Sequence, residues 1–164
     1  MKKLSTRIFS VIVVVMLCVS LSMLGACGKD KGSGKNDNIQ SFYDTVVKSQ
    51  QCLDVVADDI YTYWYDAIYK SKYGGDINVA IASAMLNNNE NLNIIETNDE
   101  TIKSLYKNVK NSDFATEIKA IMSAYSDYYE LVVNVSGSFN SYSAEKETLK
   151  KKLASALKDL QLEM

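Results

Sequence analysis

IQSFYDTVVKSQQCLDVVADDIYTYWYDAIYKSK, residues 39–72, contains neither Gly nor Pro, and its reading decides the fold class. Phe42, Val46, Leu53, Val56, Ile60, Tyr63 and Ala67 keep alternating steps of four and three if Ser49 fills the gap. That period belongs to an amphipathic helix with a coiled-coil-like seam, running from Ile39 to about Lys72. The second half adds Tyr61, Trp64, Tyr65, Ile68, Tyr69 and Tyr73, which makes the helix apolar or aromatic nearly all round. A helix of that kind must be covered on more than one side or else present a sticky patch.

Downstream, Gly74-Gly75 ends this helix and Asp76 can cap a short one in which Ile77, Ile81, Ala84 and Met85 share a face. Asn87-Asn88-Asn89 is expected to break it. Thr97-Asn98-Asp99-Glu100 fits a capping box for a second short helix carrying Ile102, Leu105, Tyr106 and Val109. Both short helices are expected to cover the aromatic end of the first. Asn111 or Ser112 can cap a fourth helix with Phe114, Ile118, Ile121, Tyr125, Tyr128, Val132 and Val135 on one side, ending near Gly137. Ser143 can cap the last, with Leu149, Leu153, Ala156, Leu157 and Leu160. The expectation is an all-α bundle of three long and two short helices spanning residues 39–164.

Ahead of it the chain has a different character. Met1 to Arg7 is a basic start, and Ile8 to Leu24 is an apolar run, the layout of a secretory signal. The run approaches the length of a membrane span, so its ending decides the reading. Leu24-Gly25-Ala26-Cys27 resembles the bacterial lipobox, in which an aliphatic and two small residues precede a cysteine that receives diacylglycerol before cleavage. The resemblance implies a signal peptide over residues 1–26, with Leu24, Gly25 and Ala26 recognised by the peptidase, and a mature chain lipidated at Cys27. Acyl chains would then hold it on the extracytoplasmic face of the cell membrane. Residues 28–38 offer no apolar side chain and read as a flexible tether, so residues 27–38 form the anchor and its leash.

The exported region also resembles uncharacterised small helical lipoproteins of Gram-positive bacteria. The likeness rests on Tyr63-Trp64-Tyr65-Asp66-Ala67-Ile68-Tyr69 and on Val133-Asn134-Val135-Ser136-Gly137-Ser138-Phe139, where Val135 departs from the proline associated with that turn. It implies a helical exported domain and brings no activity with it.

Charge narrows the partners. Lys2, Lys3 and Arg7 precede Cys27, leaving 15 Lys against 20 Asp and Glu, a balance of −5. An acidic domain lacks the clustered cations that displace counterions from phosphates, so no nucleic acid is expected.

Chemistry is sparse. Cys18 leaves with the leader and Cys27 is acylated, so Cys52 stands alone and cannot close a disulfide within the chain. With no His anywhere to activate it, Cys52 reads as a small apolar residue beside the core. Ser-x-x-Lys spacing occurs at Ser104/Lys107, Ser143/Lys146 and Ser155/Lys158, without the Lys-Thr-Gly or Ser-Asp-Asn partners of penicillin-recognising enzymes, and is read as chance. Asp54, Asp58 and Asp59 could hold a hard cation, but on the proposed seam Asp54 and Asp58 face solvent and no loop supplies carbonyls. No metal and no cofactor are expected.

Tyr61, Trp64, Tyr65, Tyr69 and Tyr73 are the one candidate recognition surface, since Tyr offers a large ring, a polar tip and little entropy to lose. The competing reading makes these rings core beneath the short helices, with partial exposure of at least one of Tyr61, Tyr65 and Tyr69. The reading that results is a non-enzymatic binding or interaction module for an envelope protein or cell-wall polymer. The alternatives are a structural or accessory subunit of an envelope complex and a small hydrolase.

Overall fold

The structure, a computed structural model, describes residues 33–164. The leader, Leu24, Gly25, Ala26 and Cys27 lie outside the described residues. Helix α1 runs Ser33–Lys70, a 3-10 turn covers Lys72–Gly75, and four helices follow: α2 Ile77–Asn87, α3 Asn89–Val109, α4 Ala115–Val133 and α5 Phe139–Glu163. No strand occurs among the described residues, and none of their helices is long and apolar enough to cross a membrane. The described part is therefore all-α, with four long helices and one short one rather than three and two.

The seam of α1 is the axis of the core. Phe42, Val46, Leu53, Val56, Ile60 and Ala67 are buried at the expected spacing. Ser49 is buried in the expected gap, its hydroxyl 3.3 Å from the Tyr125 hydroxyl on α4. At Tyr63 the seam shifts by one residue: Trp64 is buried and Tyr63 only partly so. Helix α3 brings Ile95, Ile102 and Val109 to the core, α4 brings Ile118, Ile121, Tyr125, Tyr128 and Val132, and α5 brings Tyr142, Leu153, Leu157 and Leu160.

Four boundaries differ from expectation. Helix α1 begins at Ser33, so residues 33–38, read as tether, are helical. Once a helix is nucleated, extending it by a turn costs little compared with starting it. Helix α3 begins at Asn89, and Thr97 lies inside it with its hydroxyl donating to the Asn93 carbonyl at 2.9 Å. No capping box forms there, because Ile95, Asp99, Ile102, Tyr106 and Val109 continue one helical line onto α1, and tertiary burial outweighs the local capping preference. Helix α4 starts at Ala115 with Phe114 in the cap position, and neither Asn111 nor Ser112 caps it.

The fourth difference positions the aromatic cluster. Helix α5 begins at Phe139 rather than after Ser143, capped by Ser138. The Ser141 amide donates to Ser138 Oγ at 3.2 Å and the Ser138 amide donates to Ser141 Oγ at 2.9 Å. This reciprocal box satisfies two otherwise unpaired donors with Ser in place of the usual Glu. Gly137 precedes it at φ +83, where a Cβ would also meet Ser141 Oγ at 3.0 Å, so this turn requires glycine. Starting α5 early carries Phe139, Tyr142 and Lys146 onto the second half of α1.

Candidate functional site

Tyr61, Tyr65 and Tyr69 lie four residues apart, so a helix stacks them as rungs on one side. Ring centroids are 6.4 Å apart for Tyr61 and Tyr65 and 4.7 Å for Tyr65 and Tyr69. Phe139 of α5 sits against all three, at 5.1, 6.2 and 6.1 Å. Trp64 reaches the same hub, 6.0 Å edge-on to Phe139 and 5.7 Å from Tyr142. Two of these contacts are stacked, two are edge-to-face and three are tilted between those arrangements.

The five expected residues thus divide. Trp64, 3% exposed, is core. Tyr61 is half-buried, while Tyr65 and Tyr69 are 37% and 61% exposed, with Ile68 open beside them. Tyr73 belongs elsewhere: it stacks on Tyr63 at 5.2 Å and 16°, a pair separate from the ladder. Tyr73 also adopts φ +54, an uncommon conformation for an aromatic residue, in a turn whose Ser71 is likewise left-handed. The ring that touches the ladder from another element is Phe139 of α5, while Tyr142 of α5 packs on Trp64, and no ring of the short helices expected to cover the ladder reaches it. Phe139 and Tyr63 were not among the expected site residues. The signal that finds Phe139 is Ser138-x-x-Ser141, a capping box one residue before an aromatic ring.

Two lysines frame the ladder. Lys146 Nζ lies 4.7 Å from the Tyr61 ring centre and Lys70 Nζ 5.4 Å from that of Tyr65, both cation–π geometries. Lys146 is nearly buried, with its ammonium 2.6 Å from Asp58 and 3.4 Å from Glu147. Burial disfavours that charge, but the Asp58 hydrogen bond and the two carboxylates outweigh it, and the pKa is raised. Lys70 and Lys72 both reach Asp66 at 2.6 Å, and their hydrogen bonds hold its carboxyl below the usual range. This double pairing ties the end of α1 to the turn that follows.

Asp58 is exposed, as expected, and Asp54 is half-buried, but neither is merely solvated. Tyr128 donates to Asp54 at 2.8 Å and Lys150 stands 3.2 Å from it, while Asp58 holds Lys146. Asp59 accepts from Asn88 at 2.7 Å and from Asn87 at 3.3 Å, pinning the α2–α3 corner to α1. Lys150 also lies 3.9 Å from Asp58, so each of the three aspartates is engaged by side chains of other helices, and no group of three His, Cys, Asp or Glu among the described residues is placed to hold a metal.

Other nucleophile candidates are scattered. Ser104 is on α3, Ser143 and Ser155 are on α5, and the Lys146 that follows Ser143 is committed to Asp58. Cys52 is half-buried, and burial pushes its thiol up, with Lys48 only partly opposing. Thiolate is scarce there.

Concavities lie away from the ladder. One of about 230 Å³ sits between the start of α1 and the α3–α4 turn, at Ile39, Asn108 and Ser112. A second is a groove between α4 and α5 beside Ala120 and Ala156. The exposed rings instead form an open, braced face, a shape that suits an extended macromolecule better than an enclosed small ligand. Compared with protein families, curated proteins and solved structures, the chain matches none.

Proposed function

We propose that the chain is a bacterial lipoprotein, held through acyl chains on Cys27 to the extracytoplasmic face of the cell membrane. In this reading its helical domain is a non-enzymatic binding module that presents Tyr65 and Tyr69 to an envelope protein or cell-wall polymer. The observation that supports the binding role is the exposure of these two rings on a stack fixed from behind by Phe139 and Trp64. Rigid, half-exposed Tyr loses little entropy on binding and offers apolar area with a polar rim.

At 1.5 Å per residue, Tyr69 stands about 54 Å along α1 from Ser33.

Two outcomes are expected. Cys27→Ala should abolish incorporation of labelled fatty acid and release the chain from the membrane fraction; label persisting in the variant would exclude Cys27 as the lipidated residue. Tyr69→Ala in the mature chain should weaken binding to isolated envelope by at least about tenfold, as loss of an aromatic anchor does. Binding unchanged in both Tyr69→Ala and Tyr65→Ala would remove the ladder as the recognition face.

A further inference from the structure

We infer that the outer face of α2 is a self-association surface, through which two copies of the anchored chain pair. Helix α2, Ile77–Asn87, is apolar on nearly every side, yet only Ala80 and Ala84 of it are buried against the bundle. Ile77, Val79 and Leu86 remain open, Leu86 at 78%. Val79, Ala82 and Leu86 are spaced by three and four residues, so they form one exposed line with a small residue at its middle. That is the pattern of a short helix seam, and Ala82 lets a second helix approach closely.

Charge selects the occupant. The chain after Cys27 carries 15 Lys against 20 Asp and Glu, so two copies carry the same net charge of −5. From Ile77 through Asn89 there is no charged residue at all. A two-fold interface places one patch against itself, and a neutral apolar patch is compatible with that where a charged one is not. A lipid surface is a poorer match, because helices that lie on bilayers carry Lys or Arg along the polar face and α2 has neither.

One short helix buries less than the roughly 800 Å² per partner of a standard stable interface. Pairing is therefore weak between free chains and becomes effective when both are confined to one membrane, which rests on the lipid-anchor reading above. A pair presents two aromatic ladders, so weak contacts to a polymer gain avidity.

The test uses the full-length chain in cells with Cys52→Ala throughout, a short bismaleimide, and either Ala82→Cys on the outer face of α2 or Lys151→Cys on an exposed position of α5. Packed helices lie about 8–10 Å apart, within reach of such a reagent. Ala82→Cys is expected to give a cross-linked homodimer at least roughly ten times more abundant than Lys151→Cys. Adding Leu86→Glu, which opposes like charges across the pair, should reduce it by a similar factor. Leu86 is exposed, so helicity and melting temperature should not change, and both are measured. Fatty-acid labelling of the same samples reads the anchor separately. No homodimer above the control, a homodimer indifferent to Leu86→Glu, or cross-linking to a different protein would each overturn the proposal.

Discussion

Trp64→Ala should lower the stability of the domain by about 3–5 kcal/mol, the usual cost of deleting a fully buried large aromatic ring. Trp64 is 3% exposed and packs between Phe139 and Tyr142, so its removal leaves a cavity at the joint of α1 and α5. Tyr69→Ala, five residues further on, should cost no more than about 1 kcal/mol, since its ring is 61% exposed and meets only Tyr65, tilted at 4.7 Å, and Phe139, edge-on at 6.1 Å. Tyr65→Ala should fall between them, because its ring touches Tyr61, Tyr69 and Phe139 and carries Lys70 at its face. Denaturant melts of the three variants check the order. Equal losses for Trp64→Ala and Tyr69→Ala would mean that the ladder is core throughout, and the recognition reading would lose its support.

That gradation was only half legible in the sequence. The period from Phe42 to Ala67 identifies the buried side of α1 because the core there is a continuous stripe, and even the polar interruption at Ser49 falls in line. From Tyr63 to Tyr69 every position but Asp66 is apolar or aromatic, so periodicity loses its contrast and cannot tell Trp64 from Tyr65. Burial is decided instead by which element lands on the rings. That depended on the start of α5, where Ser141 replaces the Glu by which a capping box is usually recognised. The early start of α3 was hidden differently: three consecutive Asn suggest a long break, yet a single residue, Asn88, makes the corner. Its side chain is bound to the nearby Ala84 carbonyl and to Asp59, the latter 29 residues away in sequence, a separation that no local pattern exposes. Lys146 is the extreme case. Nothing around it distinguishes it from the solvated lysines of α5, and its burial follows from Asp58 of α1, 88 residues away.

The largest response to solution conditions is expected in alkali, and it comes from the tyrosines of the core. Tyr125, Tyr128 and Tyr142 are all but completely buried, and burial pushes each phenol well above its ordinary pKa. Asp54 adds to the effect at Tyr128 and Asp58 at Tyr142, while the Ser49 hydrogen bond partly opposes it at Tyr125. Below about pH 10 these phenols hold their protons whether the chain is folded or unfolded, so stability is unaffected. Above it the unfolded chain releases them and the folded chain does not. Each then removes about 1.4 kcal/mol per pH unit, roughly 4 kcal/mol per unit for the three. Lys146 acts in the same direction, since its pKa is also raised in the folded state and its pairing with Asp58 is lost as pH rises through that value. A stability of about 5–15 kcal/mol would be exhausted within roughly one to four pH units above pH 10. Loss of helix by circular dichroism should therefore coincide with the tyrosinate absorbance of the buried rings. Full tyrosinate absorbance with helix intact would show that the core tolerates ionised phenols. Tyr128→Phe separates this mechanism from general alkaline damage. At neutral pH it removes the hydrogen bond to Asp54 and should cost about 1 kcal/mol. In alkali it removes one of the titrating groups, so its stability should fall about 1.4 kcal/mol less steeply per pH unit. The variant begins less stable and loses stability more slowly, and the two stability curves are expected to cross within about one pH unit above pH 10.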